Sequence, residues 1–308
     1  MAKQRSFVAD YLVYLVLRLF VCVIQALSWR QALAVARLLA WIAYWVDRRH
    51  RTVAHENLRH AFPHLAADER ETLVRAVYQH FGTMLVEIMQ MPRLLSARTW
   101  RRHMELPQGR LFVEWCLQDR PLMFVLSHFG NWELGGYIMG LLGFPVHAIA
   151  RPLDNRFAEA YLRRWRERTG GKILAKKGDF ERMDALLAHG GRLATLADQD
   201  AGARGPFVEF FGRPASTHKA VALLSLEHSV PLLVIGVRRL GAPMRYQMVV
   251  EDVILPEEYH GQPDAVRAMT QRFTTAIERL VRRSPEQYFW LHRRWKHQPT
   301  SRKQRQAA

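Results

Sequence analysis

Residues 121–150 read PLMFVLSHFGNWELGGYIMGLLGFPVHAIA, and their texture decides the fold. PLMFVLS (121–127) is a short apolar run, the mark of a strand buried on both faces. A break follows at His128-Phe129-Gly130, where the glycine permits a turn and Asn131 is suited to cap a helix. Asn131–Leu142 then reads as a helix, and VHAIA (146–150) as a second strand. Strand, turn, helix and strand in that order belong to a sheet with helices on its faces.

Downstream the alternation continues. Asn155–Arg168 is a strongly basic amphipathic helix, KILA (172–175) a strand, Phe180–Leu187 a helix and RLATLA (192–197) a strand. Ser216–His228 reads as a helix and PLLVIGV (231–237) as a strand. MRYQMVVEDV (244–253) alternates like a half-buried strand, and Pro263–Arg283 is the last long helix. Upstream, residues 1–115 read mainly as helix. One helix, capped by Asp68, runs through Met89, with Leu73, Val77, Phe81 or Met84, and Ile88 on its apolar side and Pro92 just beyond its end. The expected fold class is α/β: a mixed, mostly parallel sheet flanked by helices, with an N-terminal membrane-associated helical region. Active sites in such sheets lie at the C-terminal ends of strands, and His128 stands just past one.

The N-terminal region carries its own signal. FVADYLVYLVLRLFVCVIQAL (7–27) is long enough for a bilayer span, interrupted by Asp10, Arg18 and Gln25. At helical spacing these three fall within about an 80° sector. The helix is therefore lipid-facing with one narrow polar stripe, and it can either span a bilayer or lie in its surface. A second apolar run, Leu38–Val46, ends in Asp47-Arg48-Arg49-His50-Arg51, where cations can meet anionic headgroups. No small-x-small cleavage site follows the first run. The expected division is an apolar membrane-association segment at 1–52, an α/β domain at 53–297 and a basic, disordered tail at 298–308.

Lys plus Arg number 45 against 28 Asp plus Glu, a net charge of +17. That surface suits nucleic acid, an anionic membrane, or acidic substrates and carrier proteins. The cations are scattered through amphipathic segments beside Trp and Leu rather than gathered in blocks, and nine Trp residues suit a lipid interface. The sequence carries no nucleic-acid recognition motif, and no P-loop, G-x-G-x-x-G or G-x-S-x-G. Phosphate-loop nucleotide use, dinucleotide binding and a serine-elbow mechanism thus lack support. Cys22 and Cys116 read as two buried thiols, neither at metal-ligand spacing.

The chemistry concentrates at His128-Phe129-Gly130-Asn131-Trp132-Glu133. Acyl transfer to an alcohol needs a base for the hydroxyl proton and positive groups for the oxyanion. A histidine serves as base when a carboxylate fixes its tautomer. On a continuous helix His128 and Glu133 would diverge. With the histidine on the turn and the glutamate in the first helical turn, the two can meet, beside the positive end of the helix. Most His–Glu pairs are structural; the strand–turn–helix setting argues for this one.

HFGNWE (128–133) resembles the H-x4-D/E signature of glycerolipid acyltransferases. ENLRHAFP (56–63), ARPLDN (150–155), ADQDAGARGPFVEFFGRPAST (197–217) and YFWLHRRWK (288–296) extend the likeness. Together they are similar to the bacterial lipid A biosynthesis acyltransferases, in the family's order and over most of the chain. The resemblance implies His128 as general base oriented by Glu133. It also implies substrate contacts from Arg151, Asp198, Gln199, Asp200 and Asn131, and an apolar segment at Phe207, Phe210 and Phe211. Read from the residues alone, Asp198 and Asp200 could equally cap a loop, and the phenylalanines could line an acyl tunnel or fill the core. Trp290, His292, Arg293 and Arg294 could position substrate, with surface placement favoured for the arginines.

The function expected is single-step transfer of a fatty acyl chain from an acyl thioester to a hydroxyl of a lipid A precursor. The donor is acyl carrier protein or acyl-CoA; no metal or bound cofactor is required. The expected partners are acyl carrier protein, anionic membrane lipids and a glycolipid acceptor, with no nucleic acid, at the cytoplasmic face of the bacterial inner membrane. A second reading keeps the chemistry and changes the acceptor to a phosphatidylinositol mannoside or another polar lipid. A third is a basic membrane-binding protein without catalysis.

Overall fold

In the computed structural model, which describes residues 6–175 and 178–299, four strands run parallel to the one carrying PLMFVLS. That strand, β2 (Leu122–Leu126), is buried at every position. Met123 and Val125 enter one apolar cluster, and Leu122, Phe124 and Leu126 enter another on the opposite face. The period of two along a strand thus gives the sheet a core on both sides.

Chain order alternates as expected after β2: α6 (Trp132–Leu141), β3 (His147–Ala150), α7 (Arg156–Arg166), β4 (Lys172–Ala175), α8 (Phe180–Ala188) and β5 (Arg192–Leu196). Then follow β8 (Leu232–Arg239), β9 (Tyr246–Ile254) and α10 (Ala265–Arg283), with the two-residue β1 (Met104–Glu105) and α5 (Gly109–Leu117) upstream. The seven-stranded sheet has the order β1-β9-β8-β2-β5-β3-β4, and only the β8–β9 pairing is antiparallel. The architecture is the mixed, mostly parallel sheet expected.

Three local readings differ. The helix expected at Ser216–His228 begins at Ala220 (α9, Ala220–Glu227), because Ser216 is taken by a strand. That strand, β7 (Arg213–Ser216), pairs antiparallel with β6 (Phe207–Phe210) in a separate hairpin. Its two-residue turn, Phe211-Gly212, has φ +53° and +68°, the signs a primed hairpin turn requires. Helix α4 runs over Ala67–Leu94, so Asp68 lies inside it rather than at its cap, and Pro92 sits in its last turn. Glu69 accepts the amide proton of Ala66 at 2.7 Å. A proline costs one ladder bond there, and the packing of Met89, Gln90 and Met91 holds the turn.

The N-terminal helices α1 (Phe7–Ala26) and α2 (Trp29–Val46) lie against α4 and, for α1, also α7. Alanines at 32, 36 and 40 bring α2 close to Gly82, where a Cβ would come within 2.8 Å of the Ala40 Cβ. The division expected at residue 52 falls within α3 (Arg48–Ala61). Among the described residues α1 is the one helix long and apolar enough to cross a membrane by length and composition. Its polar stripe faces inward. Asp10 is buried, the Arg18 guanidinium lies 4.7 Å from the Tyr161 ring centre, and Gln25 donates to the Met89 carbonyl at 2.8 Å. Phe7, Leu12, Val16, Leu19 and Val23 point outward, as do Trp41, Ile42 and Trp45 of α2. Cys22 is exposed on this outer side, contrary to the buried thiol expected; Cys116 is buried, and its thiol is pushed up to about 11 by desolvation. Of the tail expected at 298–308, residues 300–308 lie outside the described residues.

Candidate active site

The parallel pairing of β2 with β5 sets Leu126 opposite Leu196. Two residues beyond each of them stand His128 and Asp198, and the two side chains meet. His128 Nδ1 lies 2.8 Å from Asp198 Oδ1, and the His128 backbone amide donates to Asp198 Oδ2 at 3.0 Å. A carboxylate can only accept, so Nδ1 carries the proton and Nε2 presents its lone pair.

Burial alone would lower the pKa of His128, but the Asp198 charge and hydrogen bond outweigh it, and Glu133 adds to the effect; the net shift is upward. Burial would likewise raise Asp198, yet His128 and His292 hold it well below the usual carboxylate range. His292 Nε2 stands 3.6 Å from Asp198 Oδ2 and 3.2 Å from the Tyr288 hydroxyl. Burial dominates at His292 and lowers its pKa, so it stays neutral near pH 7. Trp132 and Phe289 complete the walls, their ring centres 5.1 and 6.1 Å from that of His128.

Glu133 does not make the hydrogen bond expected of it. It sits in the first turn of α6, where Arg166 of α7 takes both carboxylate oxygens: Nε donates to each at 3.1 Å, and Nη2 also donates to Oε1. The hydrogen-bonded orienting carboxylate at His128 is Asp198, while Glu133 acts on the imidazole through its charge alone. Asn131 does cap α6, its Oδ1 accepting from the Leu134 amide at 3.0 Å.

The other expected residues divide. Arg151 follows β3 at the same edge of the sheet, but its guanidinium is in solvent, and among the described residues its charged partner is Asp154, at 3.4 Å. Gln199 is exposed. Asp200 ties the C-terminal segment down: its Oδ2 accepts from the Gly202 amide at 3.0 Å and lies 2.6 Å from His297 Nδ1. Phe210 and Phe211 are core residues packed among Phe62, Trp290 and Trp295. Neither they nor Phe207 lines the apolar cavity beside the site. Arg293 is exposed, but Arg294 is fully buried and fastens the hairpin, donating to the Ser216 carbonyl and Thr217 hydroxyl at 2.6 Å each.

That cavity lies between α6 and the sheet and encloses about 930 Å³ of empty space, counting its open mouth. Phe124, Leu126, Tyr137, Ala148, Trp165 and Ile235 make it apolar, and Glu133 and Arg166 are its charged pair. Trp132 lines it too, and so joins it to His128. Among the described residues no group of three or more His, Cys, Asp or Glu side chains is arranged to hold a metal ion.

The turn itself is fixed. Gly130 has φ +61°, and a Cβ there would fall 1.7 Å from the Val237 carbonyl oxygen. The amides of His128, Phe129, Gly130 and Asn131 are all spent, on Asp198, Ser127, Gln287 and Val237. Charge developing beside Nε2 must therefore be met by side chains or by the first-turn amides of α6.

Sequence reasoning missed Asp198 as the histidine's partner and Arg166 as the partner of Glu133. The first had a readable signal: both His128 and Asp198 stand just past the ends of predicted strands. The second had none beyond the arginine density of residues 163–168.

Comparison with known proteins shows the family. The model of the bacterial lipid A biosynthesis acyltransferase family matches residues 2–297. The chain is 29% identical over 255 residues to the lipid A biosynthesis palmitoleoyltransferase of Escherichia coli K12, covering 82% of this chain and 80% of that one. It is 27% identical over 254 residues to the lipid A biosynthesis lauroyltransferase of the same organism, covering 82% and 81%. A Haemophilus influenzae lipid A biosynthesis acyltransferase is 22% identical over 256 residues, covering 83% and 78%.

Proposed function

Because the chain belongs to the bacterial lipid A biosynthesis acyltransferase family and is an acyltransferase of that pathway, we propose that it moves a fatty acyl chain from a thioester to a hydroxyl of a lipid A precursor, with His128 as general base. The donor is acyl carrier protein or coenzyme A. The observation that carries this reading is the His128–Asp198 pair: Nδ1 is held by a buried carboxylate, which leaves Nε2 as the acceptor for a hydroxyl proton.

The reaction takes one step of acyl transfer. Nε2 removes the proton as the acceptor oxygen attacks the thioester carbonyl. The tetrahedral oxyanion collapses, the carbon–sulfur bond breaks, and the imidazolium returns its proton to the departing thiolate. Asp198 holds the tautomer and balances the imidazolium. We assign Arg166, steadied by Glu133, to the oxyanion or to a phosphate of a substrate, the use to which a forked guanidinium is best suited. We assign the apolar cavity to the acyl chain; its lining and its link to His128 through Trp132 support that assignment.

We place the protein on the inner membrane at its cytoplasmic face, and the outward apolar residues of α1 and α2 support its docking on a membrane. The helix α1 packs against α7, whose arginines would enter hydrocarbon if α1 crossed the bilayer with its neighbours in place. Each such cation costs at least about 2.5 kcal/mol at the bilayer centre, so an in-plane position is favoured. Incubation of purified protein with acyl carrier protein thioesters, acyl-CoA and a lipid A precursor tests the function. A product heavier by one acyl chain supports it, and failure to acylate any lipid A precursor while another polar lipid is acylated overturns the acceptor.

A further inference from the structure

The peptide at Gly130 is gripped on both sides, and the two grips meet at one residue. On the amide side, Gly130 N–H donates to the Gln287 carbonyl at 2.9 Å. The Gln287 side chain bonds the backbone of Arg239, accepting from its amide at 2.7 Å and donating to its carbonyl at 3.1 Å. On the carbonyl side, Gly130 O lies 3.2 Å from Nε2 of His80, a buried histidine of α4. The other nitrogen of that ring, Nδ1, lies 3.0 Å from Nη1 of Arg239. The Arg239 Nη2 donates to Glu87 Oε2 at 2.6 Å, and Glu87 Oε1 accepts from the Met244 amide, also at 2.6 Å. Glu87 is fully buried, and the Tyr246 hydroxyl closes the cluster.

A carbonyl can only accept and a guanidinium can only donate, so an imidazole between them satisfies both in one tautomer, with the proton on Nε2. Burial first, and then the Arg239 charge, push the pKa of His80 down to about 3, which keeps it in that neutral form. A buried ion pair fixed at both ends is suited to specifying one geometry.

We propose that His80, Arg239 and Glu87 are positioning residues that clamp the Gly130 peptide and so hold His128, two residues earlier, in place for proton transfer. None of the three touches His128; they act through the backbone turn, where Gly130 is pressed against Val237. The proposal rests on the reading of His128 as base.

The test compares His80→Phe, which keeps a ring but loses both bonds, with His80→Gln, whose amide can donate to Gly130 and accept from Arg239. Three quantities are measured on folded full-length protein: kcat, KM for the acyl donor, and amide exchange of a peptide covering 127–133. The expected result for His80→Phe is a kcat lower by about 10- to 100-fold, an unchanged KM and faster exchange, all substantially restored in His80→Gln. Should His80→Phe fail to fold, Arg239→Lys, which keeps the cation at Glu87 and gives up the fork, carries the same expectation. A kcat within twofold of wild type, or equal losses in the Phe and Gln variants, overturns the clamp. His128→Ala run in parallel separates the two readings: its inactivity beside a fully active His80→Phe rejects the clamp alone, and its activity rejects the base.

Discussion

His128 and Asp198 are joined twice, ring nitrogen to one carboxylate oxygen at 2.8 Å and backbone amide to the other at 3.0 Å. One contact sets the rotation of the imidazole and the other sets the backbone that carries it. The aspartate therefore fixes both the direction and the tautomer of the imidazole.

This pair predicts the pH profile. His128 must be neutral to accept a proton, and its pKa is raised, so kcat/KM should rise with pH through a midpoint above the ordinary histidine value of about 6.5 and level off beyond it. In Asp198→Asn the raising charge is gone and burial governs, so the limb moves to lower pH. The plateau should fall by about 10²- to 10⁴-fold because the amide no longer holds the productive tautomer. A limb that stays where it was would place the titration on another group.

Glu133 and Arg166 should behave as one unit. Each alone leaves a partly buried charge without its partner, so Glu133→Gln and Arg166→Gln both lower kcat/KM, and the double variant should be little worse than the poorer single one. A double-mutant cycle on kcat/KM measures this, with a coupling of about 0.5–3 kcal/mol expected. Strict additivity would show that the pair does not act together.

The cavity should set acyl length. Gly136 lines it, and a Cβ added there meets nothing within 4 Å. Gly136→Leu should therefore fold and shorten the available space. Each methylene excluded is worth about 0.8 kcal/mol, so preference between donors two carbons apart should shift by roughly 10-fold toward the shorter. Competition between two thioesters, read by product mass, decides it; an unchanged ratio would move the chain out of this cavity.

The outer faces of α1 and α2 should hold the protein on vesicles. Val16→Glu and Leu19→Glu point away from the body, so melting temperature should be unaffected while partition onto anionic vesicles falls by about 10-fold or more. Flotation of both variants against wild type measures it, and full retention would remove these helices from the interface.

Much of this was legible because the sheet announces itself locally. β2 is a continuous apolar run, the alternation of β9 is visible in MRYQMVVEDV, and Asn131 marks a helix start in its own side chain. The hairpin β6–β7 was not legible, because its turn places Phe211, a residue that signals no turn, at positive φ before Gly212, with its ring packed against Phe62 and Trp290. His80 and Glu87 lie with Met84 and Met91 on one buried stripe of α4, polar groups where the helical period expects apolar ones. Their partner Arg239 stands more than 150 residues away, so nothing local names it. Asp198 stands, like His128, just past the end of a readable strand, but the parallel pairing of β2 with β5 that joins the two is not written locally.

The most direct measurement of the central claim is acyl transfer from a defined thioester to a lipid A precursor by wild type and His128→Ala, followed by mass spectrometry of the lipid. The expected result is a single added acyl chain with wild type and a rate lower by about 10²- to 10⁴-fold or more in the variant, with its melting temperature preserved. A His128→Ala protein that acylates the precursor within tenfold of the wild-type rate would contradict it.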